Sequence, residues 1–91
     1  MSNMAFDTEQ LRDSIVQALV IELKTSAERV LCARSLKNEL GLDSIAAANV
    51  TFALEDEYSV DIEIEDGDAI DSIDDLVKLL RKALREDVLR A

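Results

Sequence analysis

No histidine occurs anywhere in these 91 residues, and the chain holds one cysteine, two glycines and three aromatic side chains. Each shortage removes a class of chemistry. Without histidine, a Ser-His-acid arrangement cannot be built. A single cysteine, Cys32, closes no internal disulfide and supplies no zinc cluster, and it fits a reducing, cytoplasmic compartment. Two isolated glycines make no phosphate-cradling loop. Phe6, Phe52 and Tyr58 are too few to stack a run of nucleobases, and ten basic residues against twenty acidic ones give a net charge of −10. A phosphate backbone is repelled by such a chain, so nucleic acid is excluded as a partner. No segment approaches eighteen consecutive apolar residues, so none is expected to enter a membrane. The N-terminal MSNMAFDTEQ has no basic region leading into an apolar run, so it does not read as a secretory signal.

What is present is aliphatic. Hydrophobic residues make up 48% of the chain, enough to pack one core without metal or disulfide staples. The expectation is a single domain over 1–91, a monomer, with 1–7 as a flexible N-terminal tail. Asp7 or Thr8 can cap a first helix whose inner face carries Leu11, Ile15, Ala18, Leu19 and Leu23 at three- and four-residue steps. From Thr25 to Leu42 the pattern loosens into a long ordered loop with one short turn at most, anchored by Val30, Leu31, Leu36 and Leu40. A second helix runs from Asp43 or Ser44 to near Tyr58. A short, weak third segment covers 65–71, where Gly67 and crowded acids work against a helix. Ser72 and Asp75 form a capping-box pattern ahead of a last helix lined by Ile73, Leu76, Val77, Leu80 and Leu84. Acids in its first turn followed by Lys78, Arg81, Lys82 and Arg85 suit the helix dipole. VDIEIE alternates but is too short to found a sheet. The fold class is all-α: a small bundle of three main helices, with the weak segment before the last.

Eleven acids and no base lie between Glu55 and Asp75. Most of them form a solvated face, which also favours partners with basic patches. Asp61, Glu63 and Glu65 have the first three spacings of a calcium loop, but Asp66 stands where glycine is needed and Ser72 where a bidentate glutamate belongs, so no metal site is assigned. Cys32, among apolar neighbours, reads as a small core residue. Ser44 stands apart. Asp-Ser before an apolar run is an ordinary N-cap, yet the helix that follows is almost wholly apolar from Ile45 to Leu54, which a cap does not require. A hydroxyl at a helix N-terminus is well placed to carry a phosphate, and a separate enzyme can supply the chemistry that attaches it.

GLDSI, Gly41 to Ile45, resembles the signature of the acyl carrier proteins, in which the serine after Gly-x-Asp bears 4′-phosphopantetheine. The likeness extends through ALEDEY, Ala53 to Tyr58, through Ile62, Ile70 and Ile73 around the third segment, and through Leu36 and Leu40 before the signature. Ile15, Leu19 and Leu23 match the family's first helix. The resemblance implies a carrier and not an enzyme. Ser44 would be the attachment point, Asp43 would aid recognition by a phosphopantetheinyl transferase drawing on coenzyme A, and the arm's thiol would carry an acyl group as a thioester.

Some positions depart from the family pattern. Ala46 and Asn49 are neutral where carriers of fatty-acid synthesis bear acids, Glu63 stands at a proline position, and Gly67 at an alanine position. The expectation is a specialised carrier serving fatty acid, lipid or polyketide-type synthesis. Its enzyme-facing surface is expected at Ala46, Asn49, Ala53 and Asp56, meeting loading and transferring enzymes through their basic docking patches. Ile45, Ala48, Phe52, Val50 and Leu54 are expected to face the core. Two rivals remain open: an aminoacyl carrier with the same arm, and an unmodified acidic interaction module.

Overall fold

The computed structural model describes residues 7–64 and 70–90, with side chains to Arg85. Five helices follow in order: α1 (Thr8–Leu23), α2 (Ala27–Cys32), α3 (Leu36–Leu40), α4 (Ser44–Tyr58) and α5 (Ile73–Arg90). The three long ones make the bundle, with α1 packed against both α4 and α5. The expected tail at 1–7 lies outside the described residues except for Asp7. That residue caps α1 by accepting from the Gln10 amide at 2.8 Å.

α1 buries Leu11, Ile15 and Leu19 of the expected stripe and adds Val16, while Ala18 and Leu23 are half-buried at its edge. It ends at Lys24 in the left-handed region, φ 55°, with the Lys24 amide returned to the Val20 carbonyl. The stretch expected as a loop then holds two short helices. Ser26 caps α2 and Ser35 caps α3, each hydroxyl accepting from the amide three residues on. Val30 and Leu36 anchor them in the core, whereas Leu31 is exposed and Leu40 half-buried. Cys32 is exposed as well, correcting its reading as a core residue. A helix of six residues buries one face only, and Val30 takes that face.

α4 carries the largest correction. Its buried residues are Ala46, Val50, Thr51 and Leu54. Ile45 is 73% exposed and Phe52 62%, although both were expected inside, and Ala46, expected outside, is 8% exposed. An amphipathic stripe normally fixes which face turns inward, but α4 is apolar nearly all round, so its own pattern sets no preference. Packing on α1 selects the face. Thr51 is accommodated in the core because its hydroxyl donates to the Ala48 carbonyl at 2.8 Å. At the helix end, the Ser14 hydroxyl on α1 donates to Glu57 at 2.9 Å and lies 2.6 Å from the Tyr58 hydroxyl. With its one proton on Glu57, Ser14 accepts from Tyr58.

After α4 the chain runs without helix or strand over 60–64, burying Val60 and Ile62 and exposing Asp61, Glu63 and Ile64. The Glu55 carboxylate accepts from the Ile62 amide at 2.7 Å. The weak segment at 65–71 falls largely outside the described residues; Ile70, buried, and Asp71 are not helical. The capping box of α5 forms in both directions: the Asp75 amide donates to the Ser72 hydroxyl at 3.2 Å, and the Ser72 amide to the Asp75 carboxylate at 3.1 Å. Ile73, Leu76, Val77, Leu80 and Ala83 of α5 complete the core. An exposed Arg12–Asp74 ion pair at 2.8 Å and a contact of Arg81, midway along α5, with Thr8 at the start of α1 tie the two helices together. No described helix is long and apolar enough to cross a membrane.

Candidate functional site

The site is built by a turn between two helices. α3 ends at Gly41, whose φ of 76° is the left-handed conformation that glycine adopts without strain. Its amide reaches the Lys37 carbonyl at 3.2 Å, and the Leu42 amide reaches the Leu36 carbonyl at 3.0 Å. Leu42, 2% exposed, then plugs into the core. A buried leucine one residue after a left-handed glycine turns the chain sharply, and Asp43 emerges in extended conformation to start α4.

Asp43 is the N-cap, its carboxylate accepting from the Ala46 amide at 2.8 Å. Ser44 is therefore the first helical residue and not the cap. Its side chain is exposed, and among the described residues its hydroxyl has no hydrogen-bond partner. The Ser44 and Ile45 amides have no carbonyl one turn behind them, so this end of α4 has positive potential. Beside Ser44 lies an open groove of about 170 Å³ lined by Lys37, Leu42, Asp43, Ala47, Ile64 and Ile70. Lys37 is the one cation among its described lining residues. An accessible hydroxyl, a helix N-terminus and a lysine beside apolar walls suit a phosphodiester carrying a long, partly apolar arm.

Next to the groove-lining Ile70, Asp71 accepts from the Ser35 hydroxyl at 2.8 and 2.9 Å and from the Lys37 amide at 2.8 Å. The Lys37 amide first, and the Ser35 hydroxyl second, hold the Asp71 carboxyl below the ordinary aspartate range. The sequence reading did not mark Asp71, because nothing local shows that it reaches back to residues 35–37.

Of the surface expected on α4, Asn49, Ala53 and Asp56 are exposed and Ala46 is buried. Asn49 donates to Glu22 of α1 at 2.9 Å. Ile45 and Phe52, seven residues apart and so on one side of the helix, add exposed apolar surface that the sequence reading had assigned to the core.

A family model described as "Phosphopantetheine attachment site" matches residues 13–80, most of the chain. The chain belongs to the acyl carrier protein family. It is 30% identical over 76 residues to "Acyl carrier protein 3" of Ralstonia nicotianae, covering 84% of this chain and 83% of that protein. It is 32% identical over 71 residues to "Acyl carrier protein" of Syntrophus aciditrophicus, covering 78% of this chain and 89% of that protein. As a carrier protein of this family it is not an enzyme, and its cofactor is 4′-phosphopantetheine. When attached, that group supplies a thiol able to hold an acyl cargo.

Proposed function

We propose that Ser44 carries the phosphopantetheine arm and that the chain shuttles acyl intermediates among cytoplasmic enzymes of fatty acid, lipid or polyketide-type synthesis. The observation that carries the assignment is the exposed Ser44 hydroxyl at the first position of α4, without a hydrogen-bond partner among the described residues. Ser35 and Ser72, by contrast, have hydroxyls engaged in caps. Asp43 keeps the end of α4 rigid for a phosphopantetheinyl transferase. Loading and transferring enzymes meet Asn49, Ala53 and Asp56 together with Ile45 and Phe52. Acids at Asp43, Glu55, Asp56 and Glu57 steer basic docking patches toward that face.

The test is incubation with coenzyme A, magnesium and a promiscuous transferase, followed by intact mass and peptide mapping. One phosphopantetheine at Ser44, and none on Ser44→Ala, is the expected result. Modification of Ser35 or Ser72 overturns it. Trapping the thioester from the native host then separates acyl from aminoacyl cargo.

A further inference from the structure

The groove at Ser44 has walls from two distant parts of the chain. α3 and the turn after it provide Lys37, Leu42 and Asp43, and the segments flanking 65–69 provide Ile64 and Ile70. Asp71 joins these walls. Besides its carboxylate bonds to Ser35 and Lys37, its carbonyl accepts from the Leu36 amide at 2.9 Å. Its own amide donates to the Asp75 carboxylate at 3.0 Å, on the oxygen that also takes the Ser72 amide. One residue thus fastens the start of α3 to the start of α5.

α3 has five residues, too few to hold a helix alone. Its place depends on buried Leu36 and on this clasp. Its far end passes through Gly41 and Leu42 into Asp43 and Ser44, and the Leu42 amide is returned to Leu36, so a shift at the start of α3 reaches the groove.

We propose that Asp71 is a positioning residue for modification of Ser44, holding the Lys37–Asp43 wall in place by clasping α3 to the start of α5. The inference rests on Ser44 being the attachment point. Asp71 does not line the groove, so breaking the clasp lowers the fraction of molecules with the wall in place. A smaller competent fraction raises the apparent KM of the transferase for the carrier and leaves kcat unchanged.

The full chain is compared with Asp71→Asn and Asp71→Ala by transferase kinetics and by amide hydrogen exchange. Asp71→Ala is expected to raise KM about three- to tenfold at constant kcat, the scale of losing one or two buried-edge hydrogen bonds. Asp71→Asn keeps an acceptor oxygen and gives a smaller rise. The Lys37 amide exchanges faster in both variants while amides within α1 and α4 stay protected. Three results overturn the clasp: faster Lys37 exchange at unchanged KM, unchanged Lys37 protection, or a loss confined to kcat. Should Asp71→Ala unfold, the Asn variant decides by the same criteria. If the parent itself is not modified at Ser44, the attachment reading fails, and the clasp with it; a failure seen only in the variants strikes the clasp alone.

Discussion

Ser44 and Asp43 divide between them two jobs that a single serine can perform. Asp43 caps α4 by accepting from the Ala46 amide, and the Ser44 hydroxyl has no hydrogen-bond partner among the described residues. Ser44→Ala should therefore abolish modification while changing stability by less than about 0.5 kcal/mol, as exposed substitutions usually do. Asp43→Ala should cost about 1 kcal/mol as a lost cap. Chemical denaturation of the unmodified proteins checks both, and equal losses would show that the cap is shared. Ala46 and Asn49 separate in the same way. Ala46→Asp places a carboxylate at a buried position of α4 and should destabilise by more than about 3 kcal/mol, or prevent folding. Asn49→Glu loses a bond to Glu22 and faces that carboxylate instead, a surface effect below about 1 kcal/mol that shrinks with salt. Denaturation of the single variants at low and moderate salt distinguishes them.

At the scale of elements, the short α3 depends on a carboxylate from outside itself. The Asp71 carboxyl is held below the ordinary aspartate range by the Lys37 amide and the Ser35 hydroxyl. Between the folded and unfolded pKa values the unfolded chain binds the extra proton, so stability rises with pH across that window. The contribution is complete above the unfolded aspartate value and is lost as pH falls through the folded one. Asp71→Asn should accordingly be less stable than the parent at neutral pH, with the gap narrowing below about pH 4. Paired unfolding curves from neutral to acid pH measure this; a constant gap would show that the carboxylate's charge is irrelevant to holding α3.

Over the whole molecule, a net charge of −10 on 91 residues sets a repulsion that no single contact reveals. Ten basic residues cannot neutralise twenty acids, and none of the ten lies within the stretch from Glu55 to Asp75; Arg12 reaches into it to pair with Asp74. Added salt screens such repulsion, and millimolar magnesium or calcium can gather diffusely at dense carboxylates. The melting temperature should rise from low to moderate salt and rise further with magnesium. A flat profile would show that the acids are spread widely enough to ignore one another.

The sequence by itself determined the helices whose apolar residues leave a polar face. α1 and α5 were legible through their stripes, Asp7 and the Ser72–Asp75 box through capping chemistry, and Ser44 through GLDSI beside an apolar helix. α2 and α3 were missed because six and five residues give too little periodicity to read, although Ser26 and Ser35 were available as caps. The inward face of α4 was decided only in three dimensions. With apolar side chains all round, its pattern holds no direction, and contact with α1 chose Ala46, Val50 and Leu54 over Ile45 and Phe52. Asp71 was hidden for a related reason: its partners at Ser35 and Lys37 lie more than thirty positions away. Local spacing can show a cap within its own helix, but only the folded chain can bring a carboxylate from the start of one helix to cap another.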